Sequence, residues 1–263
     1  MRVDVNGAEL DLSPLLQLPR LCRIHVTGSP QASQCGVLQR MSDLTSLVVS
    51  MCSSAALSAL LRSPHSLQRL EELEITDTVI DPSMMAALSK LPALTALWPK
   101  SIRPECWAGL AGLPQLRSLK LTWERSFNSA QRSALTAALA NLPHLTDLSI
   151  KLAEDHSFDG PPLALALPAL RVLCLRWLRV PSLSFLQRSP LLESLNLVQC
   201  TEMSAADVMA SLRAHPLPGI RHLHLSSSVT LSAEEEAALR PPSSLLPSLI
   251  DWSYFSSGHW AMQ

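Results

Sequence analysis

Apolar residues recur along this chain in one short pattern. Residues 167–175 read LPALRVLCL, and the same frame returns as LPQLRSLKL at 113–121, LPHLTDLSI at 142–150 and LPGIRHLHL at 217–225. LPRLCRIHV at 18–26 and LPALTALWP at 91–99 belong with them. Fainter copies are MSDLTSLVV (41–49), LQRLEELEI (67–75), SPLLESLNL (189–197) and LPSLIDWSY (246–254). The closing LxL of each copy has period two, so its leucines face one side of a short strand and the intervening residues the other. Between copies the apolar spacing becomes helical, in DPSMMAALSKL (81–91), NSAQRSALTAALANL (128–142), SAADVMASL (204–212) and SAEEEAALR (232–240). Asp81, Asn128 and Ser204 suit N-caps, and Pro82 suits a first helical turn.

The ten copies start at 18, 41, 67, 91, 113, 142, 167, 189, 217 and 246, with spacings of 22 to 29 residues. With LxxLxL in nearly every copy, the chain resembles the leucine-rich repeat family over essentially its full length. The resemblance implies an α/β solenoid: a curved parallel sheet on the concave face, helices on the convex face, one continuous core between them. It implies a single domain, 1–263, of about ten repeats with a partial repeat or cap at 1–17. Val3-Asp4-Val5-Asn6-Gly7 matches Ile24-His25-Val26-Thr27-Gly28 at an offset of 21, which predicts a strand. The rival is a hairpin turning at Asn6-Gly7. The position that holds Asn or Cys in the family is Cys52 and Cys200 in two copies, but Thr78, Ile102, Glu124, Ala153 and Leu178 in others. No asparagine ladder can run through such a chain. The occasional cysteine resembles the intracellular cysteine-containing and ribonuclease-inhibitor-like types.

Composition narrows the picture further. Of 263 residues 47% are hydrophobic and only 4% aromatic, so aliphatic side chains must fill the core. The balance of 21 basic against 22 acidic residues gives no electrostatic footprint for nucleic acid or an anionic membrane. The most apolar region, 161–186, is broken by Pro161, Pro162, Pro168 and Pro181 and by arginines, so it is not expected to span a membrane. The start lacks the apolar run of a signal peptide, and the six cysteines form no CxxC pair. Reduced thiols and a cytoplasmic or nuclear setting are therefore expected.

Catalytic signatures are missing. The sequence has no phosphate loop, nucleophile elbow or zinc-protease helix, and eight glycines leave little material for a phosphate cradle. His222 and His224, with His215 nearby, have no third ligand at a usual metal spacing. Asp155, His156 and Asp159 precede a Gly160-Pro161-Pro162 turn and read as a solvated loop. No cofactor or metal is expected.

Strand alternation instead names the residues of the concave face. Glu72, Glu74 and Asp77 give one acidic cluster. Trp98, Trp123 and Trp177 lie among Lys100, Lys120, Lys151 and Arg176. Trp98 is expected outward within its strand. Trp123 and Trp177 lie past theirs, and either face a partner or tuck into the coil edge. Trp107 and Trp252 read as core. Tryptophan and arginine concentrate in binding hot spots, so the expected function is a non-enzymatic scaffold that holds a protein or peptide with an acidic surface. Two alternatives are the substrate-recognition part of an F-box-type ubiquitin ligase receptor, and a structural subunit whose neighbours cap the solenoid ends.

Overall fold

The computed structural model describes residues 2–6, 12–18, 20–28, 32–62, 67–123, 128–152, 165–178, 180, 183–200, 205–214, 217–227, 232–241 and 246–256. Among them are eleven strands: β1 Arg2–Asn6, β2 Arg23–Thr27, β3 Ser46–Ser50, β4 Glu72–Ile80, β5 Ala96–Ile102, β6 Ser118–Trp123, β7 Asp147–Leu152, β8 Val172–Arg176, β9 Ser194–Val198, β10 His222–Ser227 and β11 Asp251–Ser256. The strands stand in chain order in one parallel sheet. The helices are α1 Ala32–Gln39, α2 Ser54–Leu61, α3 Pro82–Leu88, α4 Ser129–Ala140, α5 Ala205–Ala214 and α6 Ala233–Leu239. Tighter 3-10 turns at Ser13–Gln17, Pro104–Gly112 and Ser184–Arg188 take the helix position in other repeats. This is the leucine-rich repeat fold of strand and helix or 3-10 turn, repeated. The chain forms two compact units, Met1–Leu121 and Thr122–Gln263.

In the first unit the inward row runs Val3, Ile24, Leu47, Leu73, Leu97 and Leu119 in register. From Ile24 onward every member of that row is sealed from solvent. Burying one such side chain is worth about 1.5–3 kcal/mol. β1 pairs with β2 in parallel at the 21-residue offset, as the repeat match expects; the return limb of the rival hairpin lies outside the described residues. Opposite the strands, α2 buries Leu57, Leu60 and Leu61. Helix α3 buries Met84, Met85 and Leu88, and the Pro104–Gly112 turn buries Trp107, as its core reading expects. Asp81 caps α3 by accepting from the Met84 amide at 2.9 Å, with Pro82 in the first turn. Ser53 does the same for α2.

In the second unit the row is Leu148, Leu173, Leu195, Leu223 and Trp252. Its leucines are sealed, whereas Trp252, expected in the core, is half-buried on the outermost strand. Capping boxes start α4 (Asn128 with Gln131) and α6 (Ser232 with Glu235). The expected cap of α5, Ser204, lies outside the described residues.

Two hydrogen-bonding devices, one of backbone and one of side chains, replace the asparagine ladder. At the start of most strands one carbonyl accepts two amides of the next repeat. Cys22 takes those of Thr45 and Ser46, and Arg171 takes those of Glu193 and Ser194. Past the strand ends, thiols and a hydroxyl satisfy carbonyls inside each unit. The Thr78 hydroxyl donates to Cys52, the Cys106 thiol to Ile80 at 3.7 Å, and the Cys200 thiol to Leu175 at 3.4 Å. The residue directly after a strand turns left-handed at Gly28, Met51, Trp177 and Gln199. Three of those four are not glycine. Among the described residues no helix is long and apolar enough to cross a membrane.

Candidate functional site

Alternation along each strand leaves one sheet face away from the helices, and this open face carries most of the residues expected to bind. In the first unit Glu74 stands in register with Val48 on one side and Trp98 on the other. Trp98 is half-buried. Its indole N–H donates to the Ser118 hydroxyl at 2.9 Å, and the Lys120 ammonium lies 4.2 Å from its ring centroid. The residues expected as separate anchors, Trp98 and Lys120, thus form one platform built by two neighbouring strands. A cation over an indole face is attracted by the ring quadrupole.

The acidic cluster of β4 is divided among three tasks. Glu72 pairs with Arg23 at 3.2 Å across the intervening β3. Glu74 stays beside Trp98. Asp77 accepts from the Thr76 hydroxyl at 2.7 Å and from the Met51 amide at 2.9 Å. Those bonds, the hydroxyl's first, hold its carboxyl below the usual carboxylate range, with Lys100 adding a smaller attraction. Asp77 therefore braces the left-handed turn of the preceding repeat. Lys100 is half-buried on β5. At the other edge His25 bridges Asp4 (3.3 Å) and Ser50 (2.9 Å).

In the second unit the open face is a grid. One row is Asp147, Val172, Ser194, His222 and Asp251; the next is Ser149, Cys174, Asn196, His224 and Ser253; a third starts Lys151, Arg176 and Val198. Here the second platform forms. The Lys151 ammonium lies 4.7 Å from the Trp177 ring centroid. The Trp177 indole N–H donates to the Gln199 side chain, and its amide to the Val198 carbonyl at 2.9 Å. Between the two readings of Trp177, the structure gives an intermediate result: half-buried, left-handed, and stacked with a lysine of the open face. Arg176 is exposed.

Trp123 requires a correction. It is only 5% exposed, so it does not face outward. Strand β6 runs through Trp123, and strict alternation places it inward with Leu119 and Leu121. Only a strand ending before Trp123 would release it from that alternation, and β6 includes it. Ser46, which alternation along β3 places on the open face in register with Glu72, is buried too. Alternation places Gln199 outward, but the pattern of a single repeat does not show that Ser118 and Gln199 clamp the tryptophans. Aligning each tryptophan with the next repeat is the signal that finds them.

Among the described residues no cluster of three or more metal-binding side chains occurs. His222 and His224 share the open face, with His222 3.9 Å from Asp251. The group at 155–159 and His215 lie outside the described residues.

No family model and no curated protein matches the chain. Solved structures do. An internalin of Listeria monocytogenes aligns over 96% of this chain and 71% of its own, at 19% identity and TM-score 0.57. A Bacteroides fragilis protein aligns over 92% and 67%, at 15% identity and TM-score 0.48. The internalin likeness concerns the fold: both chains are leucine-rich repeat structures.

Proposed function

We propose that this protein is a non-enzymatic interaction scaffold that docks a protein or peptide partner on the open, concave-side face of its sheet. The observation that carries this reading is the pair of lysine–tryptophan platforms, Trp98 with Lys120 and Trp177 with Lys151, one in each unit. Each tryptophan is already fixed by a hydrogen bond from its N–H. Fixed aromatic groups lose little freedom on binding, which is what makes them efficient anchors. Around them Lys100 and Arg176 favour an acidic partner surface, while Glu72, Glu74 and Asp77 set where its basic groups can lie. Each unit carries one platform. Repeats of 22–29 residues, helices opposite several strands and six cysteines without a disulfide support the intracellular, ribonuclease-inhibitor-like reading and a cytoplasmic or nuclear setting.

Affinity purification with mass spectrometry tests the scaffold. Trp98→Ala combined with Arg176→Ala should abolish partner capture with the fold intact by circular dichroism. Retained capture would sink the reading. One observation favours a second reading, a subunit covered by neighbours: Ile250, just before the outermost strand β11, is 69% exposed. In that case the purified chain self-associates on size exclusion, and Ile250→Lys restores a monomer.

A further inference from the structure

We propose that Arg176, Asn196 and His224, on the open face of the second unit, form a carboxylate-binding subsite. We further propose that His224 gains a proton when an aspartate or glutamate of the partner enters. This deepens the scaffold reading and depends on that face being the docking surface.

The three residues come from successive strands β8, β9 and β10. Asn196 and His224 are neighbours in one register row, and Cys174 completes that row on β8. Arg176 lies two residues beyond Cys174, on the same face. Asn196 is one strand (about 5 Å) and His224 two strands (about 10 Å) from the β8 row, with Arg176 offset by two residues (about 7 Å), so a carboxylate seated over Asn196 is approached by the Arg176 and His224 side chains from opposite sides. Arg176 is exposed, and its guanidinium makes no hydrogen bond or ion pair among the described residues. Lys151, beside it in register, is held over the Trp177 ring and adds a second cation. Asn196 is half-buried and brings an amide donor. His224 is half-buried, with its Nδ1 2.6 Å from the Ser253 hydroxyl, which fixes the ring.

The charges around His224 give the subsite its response to pH. Arg176 faces it from β8, and Asp251 with Ser253 from β11. Asn196 is neutral on β9, Cys174 lies beyond it, and the exposed His222 shares its strand. Burial is the main force that lowers its proton affinity below the ordinary imidazole value; Arg176 adds to this and Asp251 opposes it. Burial and Arg176 together thus favour the neutral imidazole. A carboxylate seated against the planar guanidinium makes a charge-assisted fork and cancels the repulsion from Arg176. The imidazole then takes a proton from solvent, and the carboxylate stays ionised. By linkage, a group that binds protons more tightly in the complex strengthens binding as pH falls.

Octaglutamate carrying a fluorophore is the probe, read by fluorescence polarisation at low salt between pH 7.5 and 6.0. Its affinity should rise as pH falls, by up to about tenfold per pH unit between the free and bound proton affinities of His224. His224→Gln should keep the affinity at pH 7.5 and lose the rise. Arg176→Gln should weaken binding tenfold or more at both ends, and His222→Gln should change neither. In the wild-type chain the His224 ring resonances should titrate at higher pH with octaglutamate present. This measurement needs no variant to fold. A pH-independent affinity, a rise that survives His224→Gln, or an unmoved His224 titration overturns the subsite. Equal occupation by inorganic phosphate overturns its assignment to carboxylates. A partner captured through Trp98 with no octaglutamate response sinks the subsite and leaves the scaffold; octaglutamate binding without any capturable partner does the reverse.

Discussion

Lys120 holds its ammonium 4.2 Å from the centre of the Trp98 ring, and the same indole donates to Ser118, two residues earlier on the lysine's own strand. One strand thus fixes a side chain of its neighbour at two points. Lys120 is exposed, so the attraction is worth about 0.5–1 kcal/mol. A double-mutant cycle with Trp98→Leu and Lys120→Met, followed by urea unfolding, should return a coupling of that size. Zero coupling would mean that Lys120 is solvated and that Ser118 alone orients the ring.

Met51 occupies the left-handed region at φ 55° with its side chain 67% exposed. Its amide donates to Asp77, which holds the turn in place. A non-glycine residue there is strained by about 1–2 kcal/mol, because Cβ crowds the following carbonyl. The equivalent residue one repeat earlier is Gly28, at φ 101°. Met51→Gly should therefore raise stability by about 0.5–1 kcal/mol, the strain relief exceeding the extra freedom of the unfolded chain. Met51→Val, branched at Cβ, should lower it. A lower urea midpoint for the glycine variant would show that the exposed methionine makes contacts worth more than the strain.

The strands were legible because LxL fixes both a period and a face. Leu73, Leu97 and Leu119 stack on the strength of the pattern alone, and the register confirms the stack. Asp81 and Asn128 were legible as caps because capping is a local transaction between a side chain and the next turn. What escaped was set between repeats or by where a strand stops. Trp123 depended on β6 continuing for six residues. The Asp77–Met51 brace joins residues 26 positions apart, and no pattern within one repeat announces it. The Arg23–Glu72 pair likewise skips a whole strand. The tryptophan platforms were half-read: composition of the open face was visible, but not that the lysines and tryptophans would pair with each other.

Thr78 is buried within the irregular stretch of β4 between Ile75 and Val79, where the pairing with β5 shifts register, and its hydroxyl donates to the Cys52 carbonyl. Valine has nearly the same shape without the donor. Thr78→Val should cost about 1–3 kcal/mol, since it leaves a carbonyl without this bond. Thr78→Ser keeps the hydroxyl and should retain most of that stability. Urea unfolding of the two variants compares them directly, and equal losses would assign the effect to the lost methyl instead of the bond.

The thiol rungs make stability fall at alkaline pH. Burial pushes the Cys200 thiol up to about 12 and those of Cys52 and Cys106 to about 11. In the unfolded chain a cysteine ionises near its ordinary value of about 8.5. Below that pH both states hold the proton and the contribution of these thiols is complete. Above it only the unfolded chain releases protons, so stability declines until the folded values near 11–12 are passed, by up to about 1.4 kcal/mol per pH unit for each thiol. Urea midpoints should hence be level in this respect from pH 7 to 8 and drop from pH 9 to 10.5. Cys200→Ala lowers stability throughout, yet its slope above pH 9 should be shallower than that of the wild type, because one proton release has been removed. Native-state labelling with a disulfide reagent gives an independent check. The half-buried Cys22 and Cys174 should react well before Cys35, Cys52, Cys106 and Cys200, all of them buried. An unchanged alkaline slope in Cys200→Ala, together with fast labelling of Cys200, would show that its thiol is not held as a protonated donor to Leu175.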